Sequence, residues 1–170
     1  MFYWKKSKLV KIRYICFLEY SPDGIKTVFE YHFNPIGTIF ANKTFVSLKE
    51  LQNFGNISLS NRAFEKVNVS KSIIIPHGCT RVSDACFSFA TIDTIDVPAS
   101  VTYLAGTCFR FAVINNLIFR SKIPPTKYGY QEFAGARIKR IYIPDGSIDI
   151  YRNSNFVDGI ELIPLSKYHG

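Results

Sequence analysis

Ile92-Asp93-Thr94-Ile95-Asp96-Val97-Pro98 opens a stretch that continues through Val101 and Leu104 to Cys108-Phe109, and its landmarks recur along the chain. Val97-Pro98 echoes Ile75-Pro76 and returns as Ile143-Pro144. Leu104 echoes Val82, Cys108-Phe109 echoes Cys86-Phe87, and Ile92 recurs as Ile114. The offset from the first full copy to the second is a constant 22 residues. A fixed period of this size marks a solenoid, in which each coil buries its apolar edge only against its neighbours.

Within one copy the Ile-x-Val segment alternates, so it reads as a short parallel strand with Ile95 and Val97 inward. The proline ends the strand because it has no N–H to give to a ladder. The Cys-Phe step falls on the opposite side of the coil, where a turn or short helical segment carries Phe inward. Stacked coils then align Phe64, Phe87, Phe109 and Phe133 in one core column. Each such burial contributes roughly 1.5–3 kcal/mol. An earlier, looser copy has Leu59, Ala63-Phe64 and Val69, with one extra residue between Val69 and Ile73. The last copy is two residues longer, and the insertion falls at Ile123-Pro124-Pro125-Thr126, where two prolines force a wider loop.

Three regions follow from this register. Residues 1–45 show no repeat and read as a β-rich extension or as the remnant of a longer protein. Leu9–Ile15 alternates and is turned by Ser21-Pro22-Asp23-Gly24 toward a second strand near 26–33. Lys11, Arg13 and Glu19 interrupt its apolar run and no small-x-small site follows, so it reads as a strand rather than an export signal. Residues 46–156 form the solenoid of about four coils, opening on a short helix with the capping box Ser47-Leu48-Lys49-Glu50 and ending at Gly55. Residues 157–170 read as a cap or tail, the pattern having already changed after Pro144.

Fifteen Phe and ten Tyr beside a single Met and a single Trp fit repeated aromatic slots. The formal net charge of +8 is concentrated at the start, where Lys5, Lys6, Lys8, Lys11 and Arg13 stand. Without them 16 basic residues face 13 acidic ones, so the body is near neutral. No stretch is apolar enough for a membrane span.

Laid out in this way, the chain resembles the BspA-like leucine-rich repeat family of bacterial proteins, whose repeat runs approximately Leu-x-x-Ile-x-Ile-Pro-x-x-Val-x-x-Ile-Gly-x-x-Ala-Phe. The residues that match are Ile92, Ile95, Val97-Pro98, Val101, Leu104 and Cys108-Phe109, with a second set at Ile73, Ile75-Pro76, Val82 and Cys86-Phe87. The family's closing segment is matched by Pro124-Pro125, then Ile141-Tyr142-Ile143-Pro144-Asp145-Gly146-Ser147-Ile148 and Tyr151. The resemblance covers residues 46–165 and implies a recognition scaffold without a shared active site, surface-located or extracellular and tied to adhesion.

No residues stand in a catalytic pattern. Cys16, Cys79, Cys86 and Cys108 make no Cys-x-x-Cys pair for zinc. Cys86 and Cys108 occupy one repeat position, held by Ala63 in the earlier copy, and read as small buried fillers rather than a disulfide. His32, His77 and His169 stand apart, and His77 has no spaced nucleophile to complete a triad with Asp84 or Asp96. No metal, cofactor or phosphate loop is expected.

The surface expected to bind is the outward side of the parallel strands. Its central positions are Ile74, Asp96, Ile118 and Tyr142, preceded by Ser72, Thr94, Asn116 and Arg140. This row is more apolar than solvent requires, which suits a protein or glycan ligand. The same row equally suits contact with the chain's own N-terminal segment or with a second copy, as in a self-associating structural element. A second basic cluster, Arg120, Lys122, Lys127, Arg137, Lys139 and Arg140 with Tyr128 and Tyr130, and the basic N-terminus are the features a nucleic acid or anionic surface would use. Lys139 and Arg140 fall at the repeat's variable positions, where solvated charge is expected in any case, and this reading ranks below protein or glycan recognition.

Overall fold

The computed structural model describes residues 17–20, 26–29, 46–47, 57–59, 61–129, 131–157 and 159–170. They form a parallel-strand solenoid of about four turns with little helix, as the repeat register implies. Two six-stranded sheets line it.

The wider sheet carries the repeated Ile-x-Ile segments. Its seven-residue strands are β5 (Asn68–Ile74), β7 (Thr91–Val97), β9 (Val113–Phe119) and β11 (Arg137–Ile143), flanked by β3 (Val46–Ser47) and β12 (Leu162–Pro164). Every pairing is parallel, and the register follows the sequence repeat: Ile73, Ile95, Leu117 and Ile141 are aligned from coil to coil. The extra residue after Val69 is absorbed as a bulge between Val69 and Ser72, which keeps Val69 and Ile73 in step with Ile92 and Ile95. After three of the four long strands, β5, β7 and β11, the proline carbonyl accepts from the residue three further on, Cys79 N–H at Pro76, Val101 at Pro98 and Ser147 at Pro144. The proline therefore both stops the ladder and starts the turn.

The opposite side is more regular than the sequence suggests. Instead of turns or helical segments alone, a second parallel sheet of short strands crosses it: β4 (Ile57–Leu59), β6 (Cys79–Val82), β8 (Tyr103–Ala105) and β10 (Thr126–Tyr128). The hairpin β1 (Phe17–Tyr20) and β2 (Lys26–Phe29) joins it through a parallel pairing of β2 with β4. The first strand of this hairpin lies at 17–20 rather than at residues 9–15. Residues 9–15 and 21–25, the helix expected over 48–54, Cys16 and His32 lie outside the described residues.

A turn closes each coil, and it too is hydrogen-bonded from coil to coil. Phe64, Phe87 and Phe109 donate their amides to the carbonyls of Cys86, Cys108 and Glu132 at 2.7, 2.7 and 2.9 Å. Their rings stack with those of the next coil at 5.2, 5.4 and 5.4 Å, within 9° of parallel, and the column runs on to Phe133. Around it lie Ile73, Ile95, Leu117 and Ile141 from one sheet and Leu59, Val82 and Leu104 from the other.

Beyond Pro144 the chain forms one short helix, α1 (Ile148–Asn153), then β12 and a 3-10 turn (Leu165–Lys167). α1 delivers Tyr151 into the end of the core, fully buried, where its hydroxyl donates to the Ser121 carbonyl at 2.9 Å. Phe156 follows and meets Phe119, Phe133 and Tyr151 edge-on at 5.0, 5.6 and 5.3 Å. The residues read as a tail contribute a further parallel strand, with Leu162, Ile163 and Pro164 beside Ile141, Tyr142 and Ile143.

Candidate functional site

The expected binding row is assembled as one column: Ile74, Asp96, Ile118 and Tyr142 are mutual register partners on β5, β7, β9 and β11. Arg140 stands two residues before Tyr142, in the column of Thr94 and Asn116. The column is not an open strip, however. Ile118 is 1% exposed and Tyr142 7%. The reason lies in two later parts of the chain. Arg120 returns across the face to fork its guanidinium onto Asp96, Nε to Oδ1 at 2.9 Å and Nη2 to Oδ2 at 2.7 Å. Tyr168, held after the 3-10 turn, sets its ring edge-on against Tyr142 at 5.0 Å. The Ser166 amide donates to Asp145 at 3.0 Å and ties this segment down, and that bond holds the Asp145 carboxyl below the usual range. The chain's own C-terminal end covers this half of the face.

The other half stays open. At its edge Phe89 and Phe111 are 49% and 43% exposed, with rings 5.0 Å apart. They belong to one repeat position, Lys66, Phe89, Phe111 and Gly135, and all four have positive φ, at 58°, 57°, 55° and 65°. Glycine suits that left-handed backbone, whereas a bulky side chain there is unfavourable by roughly 1–2 kcal/mol. Gly135 is also needed for space, since a Cβ there would lie 2.4 Å from the Phe111 ring. The Arg110 guanidinium covers the Phe111 ring at 4.9 Å. The sequence reading missed these two phenylalanines. Their signal was present, because they repeat at the same 22-residue offset two positions after the inward Phe.

Next to this pair lie the first halves of the long strands. Val113 is exposed in the column of Thr91 and Arg137. Beyond it a polar ladder is fixed across coils: Asn115 donates to Asp93 at 2.8 Å, Asn116 to the Thr94 hydroxyl at 3.2 Å, and that hydroxyl to Asp93 at 3.0 Å. Arg137 and Lys139 extend this surface on the last coil, both exposed. On the short-strand sheet the Arg81 guanidinium covers Tyr103 at 4.1 Å, and Tyr103 faces the exposed Tyr128 at 6.0 Å.

The basic cluster is divided. Arg120 is committed to Asp96, and Lys127 donates to the carbonyls of Asn155 and Phe156 at 2.7 and 3.1 Å. Lys122, Arg137 and Lys139 are exposed, while Tyr130 lies outside the described residues. Cys79, Cys86 and Cys108 are buried thiols that form no disulfide. Burial pushes the Cys79 thiol up to about 11 and the Cys108 thiol well above its ordinary value, so both are held as unreactive thiols. His77 is exposed, and Asp84 accepts instead from the Thr107 amide and hydroxyl at 3.0 and 2.7 Å. Among the described residues no three His, Cys, Asp or Glu side chains gather around a metal-sized space, and no helix is long and apolar enough to cross a membrane.

Six copies of the BspA type leucine-rich repeat match residues 37–160. No curated protein and no solved structure matches the chain. Proteins of this repeat type commonly mediate protein binding or adhesion, are generally non-catalytic and are typically surface-associated. With its coil register, proline stops and inward phenylalanines all accounted for by that repeat, this chain belongs to the BspA-type leucine-rich repeat family.

Proposed function

We propose that the protein is a non-catalytic recognition module of adhesin type, and that it binds a protein partner through the open half of its long-strand face. The observation that carries this reading is the Phe89–Phe111 pair. Two large apolar rings are kept about half exposed, on a backbone conformation that disfavours them, beside Val113 and a pre-ordered polar ladder. Neither burial nor backbone preference accounts for phenylalanine there. An aromatic centre with a fixed polar border is the composition of a protein-binding hot spot. Asp96 and Arg140 stand further along the same face, while Tyr142 is covered by Tyr168 and Ile118 is closed from solvent.

The test uses Phe89→Asn with Phe111→Asn, since asparagine tolerates positive φ and the coil keeps its shape. Wild type and the double variant are screened against immobilised extracellular proteins and glycans at low and at physiological salt. Protein hits that persist at physiological salt and are lost in the folded double variant are the expected result. Hits on glycans alone, hits retained by the variant, or binding confined to low salt would overturn it, the last because displaced counterions dominate basic-patch binding. The competing occupant is a second copy of the chain, and it shows as a molecular mass that rises with concentration in wild type alone.

A further inference from the structure

Each coil supplies one row of the open half of the long-strand face, and charge is laid out unevenly over the rows. The first row holds Lys66 and Asn68, the middle rows Phe89 with Thr91 and Phe111 with Val113, and the last Gly135 with Arg137. Lys139 and Arg140 follow Arg137 on β11. The aromatic pair is therefore bracketed by exposed cations, Lys66 at one end and Arg137 with Lys139 at the other. Arg110 adds a guanidinium against the Phe111 ring itself.

No free negative charge balances them. β5, β7, β9 and β11 carry two carboxylates, Asp93 and Asp96, and both are spent within the protein. Asp93 accepts from Asn115 and Thr94, and Asp96 accepts from Arg120. Glu65, beside Lys66, lies 4.0 Å from Arg62. Among the described residues Lys66, Arg137, Lys139 and Arg140 take part in no ion pair. Cations grouped in this way hold a positive potential over the aromatic centre.

This layout decides between the two occupants that such a patch admits. A second copy would meet the face with itself about a two-fold axis. With the axis along the strands, Lys66 opposes the Arg137 end; with the axis along the coil stack, each end opposes its own kind. Positive meets positive in both cases, which penalises the pair. A partner with an apolar centre and negative ends meets no such penalty.

We infer that the open face takes an acidic segment of another protein, in which an aromatic or large aliphatic anchor is flanked on both sides by Asp or Glu. The inference deepens the recognition reading above and rests on it. The anchor lies on Phe89 and Phe111, and the carboxylates pair with Lys66 at one end and with Arg137 and Lys139 at the other. Three coil steps separate these ends, roughly 15 Å for strands about 4.8 Å apart. An extended chain covers that span in about four to five residues, which sets the spacing of the flanking carboxylates.

The experiment selects phage displaying random linear peptides on the immobilised full chain at physiological salt. Enriched sequences are remade as synthetic peptides and titrated by fluorescence polarisation. The expected peptides carry an apolar anchor between acidic residues and lose binding to Phe89→Asn with Phe111→Asn. Arg137→Glu with Lys139→Glu is expected to unfold at the wild-type temperature and to bind them about tenfold more weakly or worse. Peptides that need the phenylalanines but have neutral or basic flanks, or that bind the charge variant undiminished, would overturn this inference and leave the recognition reading standing. Peptides indifferent to the phenylalanines would overturn both, and a selection that enriches no sequence would overturn the inference. Heparin that displaces the peptides and binds wild type and the phenylalanine variant alike would assign the cations to an anionic polysaccharide instead. A mass that rises with concentration in wild type alone would assign the face to a second copy. Should the charge-reversed protein fail to fold, Arg137→Gln with Lys139→Gln replaces it, and undiminished affinity there overturns the inference.

Discussion

Phe87 and Phe89 sit two residues apart in one turn, and each stacks on the phenylalanine one coil further along. The ring spacings are nearly equal, 5.4 Å for Phe87 with Phe109 and 5.0 Å for Phe89 with Phe111. Everything else differs. The inner rings are parallel within 4° and closed from solvent, whereas the outer rings tilt by 31° and stand about half exposed. Ring spacing therefore does not separate structure from function here; tilt, burial and backbone conformation do. The inner column is what makes the coils cohere, and the outer pair is what the coils display.

The largest expected effect tests the inner side of that contrast. Phe87→Ala removes a ring from the middle of the column and should lower stability by about 3–5 kcal/mol, read as the midpoint of urea unfolding. A loss below about 1 kcal/mol would mean that the column is not the cohesive element.

Alkaline pH probes the same interior. The Cys79 thiol is raised from 9.0 to about 11 by burial, and Cys108 shifts in the same direction. The unfolded chain ionises these thiols first, so stability is fully present below pH 9 and declines as pH rises toward the folded value. The decline for Cys79 is on the order of 2–3 kcal/mol, and a flat unfolding midpoint from pH 8 to 11 would contradict the burial.

Ser88 lies between the two rings, 3% exposed, and its hydroxyl donates to the Arg110 carbonyl at 3.0 Å. Ser88→Ala should cost about 0.5–1.5 kcal/mol, because that carbonyl keeps the Phe89 amide as a donor. Smallest of all is Phe111→Asn, expected to stay within about 1 kcal/mol of wild type by the same assay. The lost ring contact is offset there by a residue better suited to positive φ. A large destabilisation by Phe111→Asn would erase the distinction between the two ladders.

Much of the coil was legible because solenoid contacts are nearest-neighbour and repeat with the sequence. Ile95, Val97 and Phe109 have the same surroundings, coil after coil, as Ile73, Ile75 and Phe87. The short-strand sheet was less visible, since three- and four-residue segments such as Cys79–Val82 carry too little alternation to read. β12 left a trace that went unread, the Ile163-Pro164 dipeptide that resembles Ile143-Pro144. The closure of Ile118 and Tyr142 had no local trace. It depends on Arg120 bending back to Asp96, 24 residues earlier, and on Tyr168 returning to Tyr142.

Among the described residues β12 forms one edge of the wider sheet, and its last residue is Pro164. An edge strand is a template on which another chain can extend the ladder, and open solenoid ends are prone to stacking into fibres. Proline withholds one donor from any such newcomer. The residue type that stops the ladder after β5, β7 and β11 thus does a second task at the rim, discouraging head-to-tail polymerisation of one molecule onto the next.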